Sequence, residues 1–195
     1  MFLGLLLARA GVAVTVLEKH GDFLRDFRGD TVHISTLNLL DELGLGERFA
    51  ALPQHRFDQG SLHLDQGSVR LADMTRLRGR HRYIAMVPQW DLLALLADAA
   101  GAEPTFTLRH NAEVTDLLRE GDHVVGVRFT DRTDGFVHEL RSGLAVACDG
   151  RGSTVRAAAG LVPRSSEAPM DVWWDRKSTR LNSSHRPLSR MPSSA

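Results

Sequence analysis

Cysteine is almost missing from this chain: Cys148 is the single one in 195 residues. That excludes an intrachain disulfide and any cysteine-rich metal site, and it fits a reducing, cytoplasmic setting. Long apolar runs are missing too, and the longest, near the start, is too short to span a bilayer, so stable membrane insertion is not expected. Nor is there a net charge, since 24 Lys and Arg balance 24 Asp and Glu. The balance hides an asymmetry. Residues 176–195 hold no acid, so the first 175 carry 19 basic against 24 acidic groups, a net of −5. A body of that sign suggests no nucleic-acid surface. The nine histidines give no metal-ligand spacing, and His33, His55 and His63 read as loop or surface residues. What remains is an ordinary soluble composition, 43% hydrophobic, in a chain long enough for one sizeable domain.

The organising stretch is Leu3 to Glu18, LGLLLARAGVAVTVLE. Leu3, Leu6, Leu7 and Ala10 keep helical spacing, and Gly11 is the left-handed stop that a helix end favours. Val12, Val14 and Val16 then alternate with apolar Ala13 and Leu17, the pattern of a parallel strand covered on both faces. A helix feeding a buried strand with a carboxylate at its tip is the second half of a dinucleotide-binding βαβ unit. Glu18 stands where such an acid accepts hydrogen bonds from ribose hydroxyls. The glycine loop belongs about 20 residues before that acid, which is upstream of Met1. A secretory signal is the competing reading of the apolar run before Ala8-Arg9-Ala10, but no basic region precedes it and Arg9 interrupts it.

Residues 19–31 are polar and glycine-bearing, a loop at the carboxyl end of the strand, where ligands sit in open α/β sheets. Arg28 beside Gly29 suits a phosphate or ribose and equally suits a solvated loop. Leu37, Leu40 and Leu43 share a helix face, with Ser35 or Thr36 as cap and Gly44 as stop. A short helix near Glu47 to Leu52 follows. Arg56 to Leu71 reads as a hairpin turning at Gln66-Gly67, and RLRGRHR (76–82) reads first as a solvated basic loop and second as a contact for an anionic group. Tyr83 to Val87 is a strand stopped by Pro88. Gln89 opens the next helix, well placed to touch a ligand, and Asp91 is either a second such group or the N-cap. After Gly101 come four or five strands, with turns at Gly121-Asp122 and Asp134-Gly135: a three-stranded meander, then a buried strand, Leu144 to Cys148, with Cys148 in the core. Asp149-Gly150-Arg151-Gly152-Ser153 follows, a glycine-bearing turn into a helix capped by Ser153.

Three separated pieces, GVAVTVLEK, RGDTVHISTLNLLDELGL and ACDGRGSTVR, together resemble the flavin-dependent aromatic hydroxylases of the p-hydroxybenzoate hydroxylase type. These are single-component FAD monooxygenases that include the polyprenyl-phenol hydroxylases. The resemblance covers residues 1 to about 172 and implies an α/β, Rossmann-like FAD-binding domain with an inserted β-meander and an incomplete substrate domain. It assigns Glu18 to the ribose, with Lys19 in the same turn, and Arg28 and Gln89 to the flavin nucleotide. It further places the Val114 backbone at the adenine, and Asp149 and Gly150 at FAD and NAD(P)H. Arg156 follows that motif as the family expects, though an ion pair explains it equally well. No catalytic side chain is implied: FAD, reduced by NAD(P)H, uses molecular oxygen to hydroxylate a phenolic or polyketide-like aromatic, and the protein supplies position and a dry pocket.

The chain departs from the family in lacking the glycine loop and the later Gly-Asp motif, so it reads as truncated at both ends. SSEAPMDVWW resembles the start of a substrate-domain sheet. Residues 173–195 then read as a non-homologous tail, disordered or translated out of frame. Two alternatives stand beside the hydroxylase: a same-fold flavoprotein such as a halogenase or prenyl reductase, and a non-catalytic fragment that binds FAD weakly or not at all.

Overall fold

The computed structural model describes residues 1–24, 30–64 and 66–164. Arg28, the SSEAPMDVWW segment and the expected tail lie outside the described residues. Helix α1 (Phe2–Arg9) runs into β1 (Val14–Leu17) through Gly11, whose φ of +78° only glycine adopts readily. Strand β1 pairs in parallel with β7 (Phe106–Arg109), Val14 opposite Phe106 and Leu17 opposite Arg109. A parallel pair needs a long crossover, and the segment between the two strands supplies it.

Within that crossover, β2 (Thr31–Val32) and β3 (His55–Phe57) flank β6 (Ile84–Met86) in a three-stranded antiparallel sheet. Helices α2 (Ile34–Glu42) and α3 (Gly46–Ala50) lie between β2 and β3, and α4 (Gln89–Gly101) follows β6. Strands β4 (Gln59–Leu64) and β5 (Gly67–Asp73) form the expected hairpin, which starts at Gln59 because Arg56 belongs to β3. Leu5, Leu37, Leu40, Phe49, Val87 and Leu96 anchor one core where α1, α2, α3 and α4 meet. After β7 the chain forms the meander β8 (Ala112–Glu120), β9 (His123–Asp131) and β10 (Val137–Arg141), then a short α5 (Thr154–Ala158).

Several expectations are overturned. The buried face of α1 is Gly4, Leu5 and Ala8, while Leu3 and Leu6 are 44% and 39% exposed. The helix turns its glycine inward because a Cβ on Gly4 would lie 2.8 Å from Val16 and 3.1 Å from Phe106. Strand β1 is not covered on both faces: Thr15 is exposed, and β7 is its only strand partner among the described residues. The N-cap of α2 is His33 with no side-chain bond, so Ser35 and Thr36 sit inside the first turn. Asp91 is likewise inside α4, whose cap is Pro88.

Leu144 to Cys148 forms no strand. A strand exists only through hydrogen bonds to a neighbour, and no described strand pairs with this segment. Leu144 and Val146 are 78% and 55% exposed, and Cys148 is exposed rather than a core residue.

Candidate cofactor site

At the carboxyl end of β1 the backbone itself builds a ledge. The Glu18 N–H donates to the Arg109 carbonyl at 2.8 Å, and the Glu18 carbonyl accepts from Ala112 at 2.9 Å. One carboxylate oxygen of Glu18 accepts the His20 N–H at 2.9 Å, which fixes the side chain of a half-buried acid over its own turn. Lys19 is exposed, and its carbonyl accepts from the Arg132 guanidinium at 3.3 Å. Asn111, with φ +58°, donates its N–H to the His20 carbonyl at 3.1 Å. These bonds stitch β1, β7 and the start of β8 together, so Glu18, Lys19 and Val114 fall in one neighbourhood. Val114 pairs with Phe129, and the ladder shifts register between Val114 and Asp116. Such a bulge bends the strand and turns its backbone locally.

Gln89 is the exposed first residue of α4. Its N–H donates to the Asp30 carboxylate at 3.3 Å, and the Asp30 carbonyl accepts the Val87 N–H at 2.8 Å. Asp30 thus holds the strand-to-helix junction from the far side of the crossover and satisfies one of the helix's open N–H groups. Sequence reasoning missed it. The available signal was an acid following the Arg28-Gly29 pair directly.

The third group is the loop from Asp149 to Ser153. Gly150 has φ +82°, and a Cβ there would meet nothing within 4 Å, so backbone conformation, not crowding, demands glycine and the space beside it is open. The Ser153 hydroxyl caps α5 by accepting the Arg156 N–H at 3.0 Å. The Asp149 carboxylate accepts the Val155 N–H at 3.2 Å. Partial desolvation raises the Asp149 pKa, but the Ser153 hydroxyl and the backbone N–H groups of Val155 and Thr154 outweigh it, leaving the carboxyl below its ordinary value. Arg156 forms no ion pair among the described residues. Its guanidinium donates to the Gly150 carbonyl at 3.4 Å and to the Arg151 carbonyl, closing the loop on itself.

One grouping of metal-ligand type occurs among the described residues. Asp131, Asp134 and His138 bring one ligand atom each within 4.8 Å of one another in the β9–β10 turn. Both carboxylates already serve that turn, accepting the Thr133 and Phe136 N–H groups at 2.8 Å each. The cofactor-type features are elsewhere. An acid at the tip of a parallel strand, with an acid and a left-handed glycine before a capped helix, is a donor and acceptor set that fits a dinucleotide.

A family model described as an FAD binding domain matches residues 1–185. The chain is 34% identical over 173 residues to the 6-methylpretetramide 4-monooxygenase of Streptomyces rimosus, covering 88% of this chain and 41% of that protein. The solved anhydrotetracycline hydroxylase of Streptomyces rimosus superposes with a TM-score of 0.69 at 34% identity, over 81% of this chain and 31% of that one. A probable FAD-dependent monooxygenase of Pseudomonas aeruginosa shares the fold, with a TM-score of 0.69 at 22% identity over 86% of this chain and 44% of that one. The chain therefore spans less than half the length of these relatives. No described helix is long and apolar enough to cross a membrane. With two nucleotide-type turns on a fold shared by flavin enzymes, the chain belongs to the FAD binding domain family.

Proposed function

We propose that these residues are the FAD-binding part of a cytoplasmic flavoprotein monooxygenase that uses NAD(P)H and molecular oxygen to hydroxylate a fused phenolic aromatic. The observation that carries this is the Asp149-to-Ser153 loop closed by Ser153 and Arg156, in a chain whose relatives include a 6-methylpretetramide 4-monooxygenase and an anhydrotetracycline 6-monooxygenase. Bound FAD supplies hydride acceptance from NAD(P)H and oxygen activation. The chain's own residues bind and orient. In this reading Glu18 accepts the ribose hydroxyls, with Lys19 beside it, and Arg28 and Gln89 hold the flavin nucleotide. The Val114 backbone meets the adenine, and Asp149 and Gly150 form the loop that FAD and NAD(P)H approach.

The test uses a form of the chain extended to the length of its relatives, with anhydrotetracycline as the aromatic probe. Direct oxidation of NAD(P)H with matching oxygen uptake, stimulated by the aromatic, is the expected result. Flavin reduced only when a separate reductase is added points to a halogenase instead, and defeats the hydroxylase reading. For the 195-residue chain alone, a second reading is supported by the exposed Leu144 and Val146 and by β7 being the one strand partner of β1 among the described residues: weak or no FAD retention and poor solubility. Stoichiometric FAD on the purified chain overturns it.

A further inference from the structure

Away from the cofactor-type turns, a cavity of about 250 Å³ opens between α2, α3, β3 and the loop leading into β6. Leu37, Leu40 and Phe49 form its apolar floor, and all three are buried. None of Glu18, Gln89, Val114, Asp149 or Gly150 lines it. A volume of about 150 Å³ admits benzene, so by size one ring with a short substituent fits here, with charged side chains around it.

The charges at the rim are not equivalent. Arg80 and His81 both meet the same carboxylate oxygen of Asp41, at 3.1 and 2.7 Å, and these three groups satisfy one another. Arg56 is different. Its guanidinium carbon stands 4.6 Å from the Tyr83 ring centroid, and its Nε donates to the Gln54 side chain at 3.2 Å. Its terminal amino groups have no hydrogen-bond or acid partner among the described residues. The guanidinium lies over the Tyr83 ring, and its terminal amino groups are left available to a carboxylate, which a guanidinium can grip with two bonds. Glu47 lines the same cavity, and its charge selects against a dianion such as phosphate.

We propose that this cavity is a binding site for a compact aromatic carboxylate, its ring on Phe49 and the two leucines and its carboxylate on Arg56. The site is independent of the flavin reading and is tested without FAD, on the 195-residue chain, by calorimetric titration with benzoate. Benzoate is expected to bind, with acetate (no ring) and benzyl alcohol (no charge) each weaker by about tenfold or more. Because Arg56 is exposed, R56Q leaves the fold intact by circular dichroism and weakens benzoate by about tenfold or more, and R56K recovers part of it because Lys restores charge without the fork. Ala50 is an exposed lining residue at the end of α3, so A50F fills the cavity and abolishes binding. No benzoate binding at millimolar concentration overturns the proposal. So does acetate equal to benzoate, or affinity unchanged in R56Q or A50F.

Discussion

The Asp30 carboxylate accepts the backbone N–H of Gln89 at 3.3 Å, while the Asp30 carbonyl accepts that of Val87 at 2.8 Å. One residue thereby ties β2's approach to both sides of Pro88. Asp30 acts as a cap supplied from a distant part of the chain, because Pro88 has no side chain able to do so. Replacing it with alanine keeps the carbonyl bond and removes only the carboxylate. D30A is expected to cost about 1 kcal/mol, the usual worth of a helix cap, and to lower Tm by roughly 2–4 °C in a domain of this size. Urea unfolding measures the loss. Faster hydrogen exchange confined to the first turn of α4 locates it, and an unchanged Gln89 amide defeats the assignment.

Gly4 sets two effects against each other. Alanine in a helix interior gains about 1 kcal/mol over glycine. The added Cβ, however, would lie 2.8 Å from a Val16 methyl and 3.1 Å from the Phe106 ring. Val16 is stiff about its first side-chain torsion, and overpacking of this kind costs about 1–3 kcal/mol. G4A is therefore expected to be destabilising by about 1 kcal/mol net, the difference of these two estimates. A double-mutant cycle with V16A should show favourable coupling, since V16A removes the clash. A stabilised G4A would mean that α1 sits farther from β1 than the structure places it.

At Gly126 the obstacle is backbone. A Cβ there would fall 2.1 Å from the Leu140 carbonyl oxygen and 2.8 Å from the Arg141 Cα. Neither atom can retreat without breaking the pairing of Gly126 with Arg141. G126A is expected to cost about 3 kcal/mol, the upper end of the overpacking range, with exchange protection lost in β10 before β8. G121A offers a contrast: nothing lies within 4 Å of its Cβ, and only the φ of +58° opposes it. Its cost should stay near 1 kcal/mol, the usual penalty for a left-handed residue.

Asp149 links the loop to pH. Its folded-state pKa lies below the ordinary 3.8 because the ionised carboxylate accepts bonds from Ser153, Val155 and Thr154. A depressed carboxylate stabilises the fold fully above its unfolded pKa, and that contribution is lost as pH falls through the folded value. An acid titration followed by amide NMR should show the Val155 resonance moving at a pH below 3.8, with the start of α5 fraying together with it. In D149N the same resonance should be flat across that range. A Val155 shift that persists in D149N would assign the effect to another group.

Much of the fold was legible because it is local. The helical repeat of Leu37 and Leu40, the stop at Gly44, the hairpin turns at Gly121 and Gly135, and the Ser153 cap all stand as read. Each is a short-range backbone or capping preference that a few neighbouring residues decide. The Asp149-to-Ser153 turn was legible in its glycine and its serine cap for the same reason. What misled was burial. Leu144 to Cys148 has the composition of a core strand and lies exposed, because β-propensity expresses packing against neighbours more than any property of the segment. The inward face of α1 was misjudged because apolar spacing favours leucines, whereas close approach to Val16 favours the glycine.

By itself, then, the sequence determined the kinds and limits of the elements, the acid at the tip of β1, and the glycine and cap of the Asp149 loop. Only the tertiary structure decided that β1 lies parallel to β7, that Asp30 holds Gln89, that Arg156 closes its own loop and meets no acid among the described residues, and that Arg56, held by Gln54 and Tyr83, meets no acid among them either. The physical reason is one of distance along the chain. Turns and caps are set by torsions of adjacent residues, while a hydrogen bond between residues far apart leaves no period in the sequence and exists only once packing has brought its donor and acceptor together.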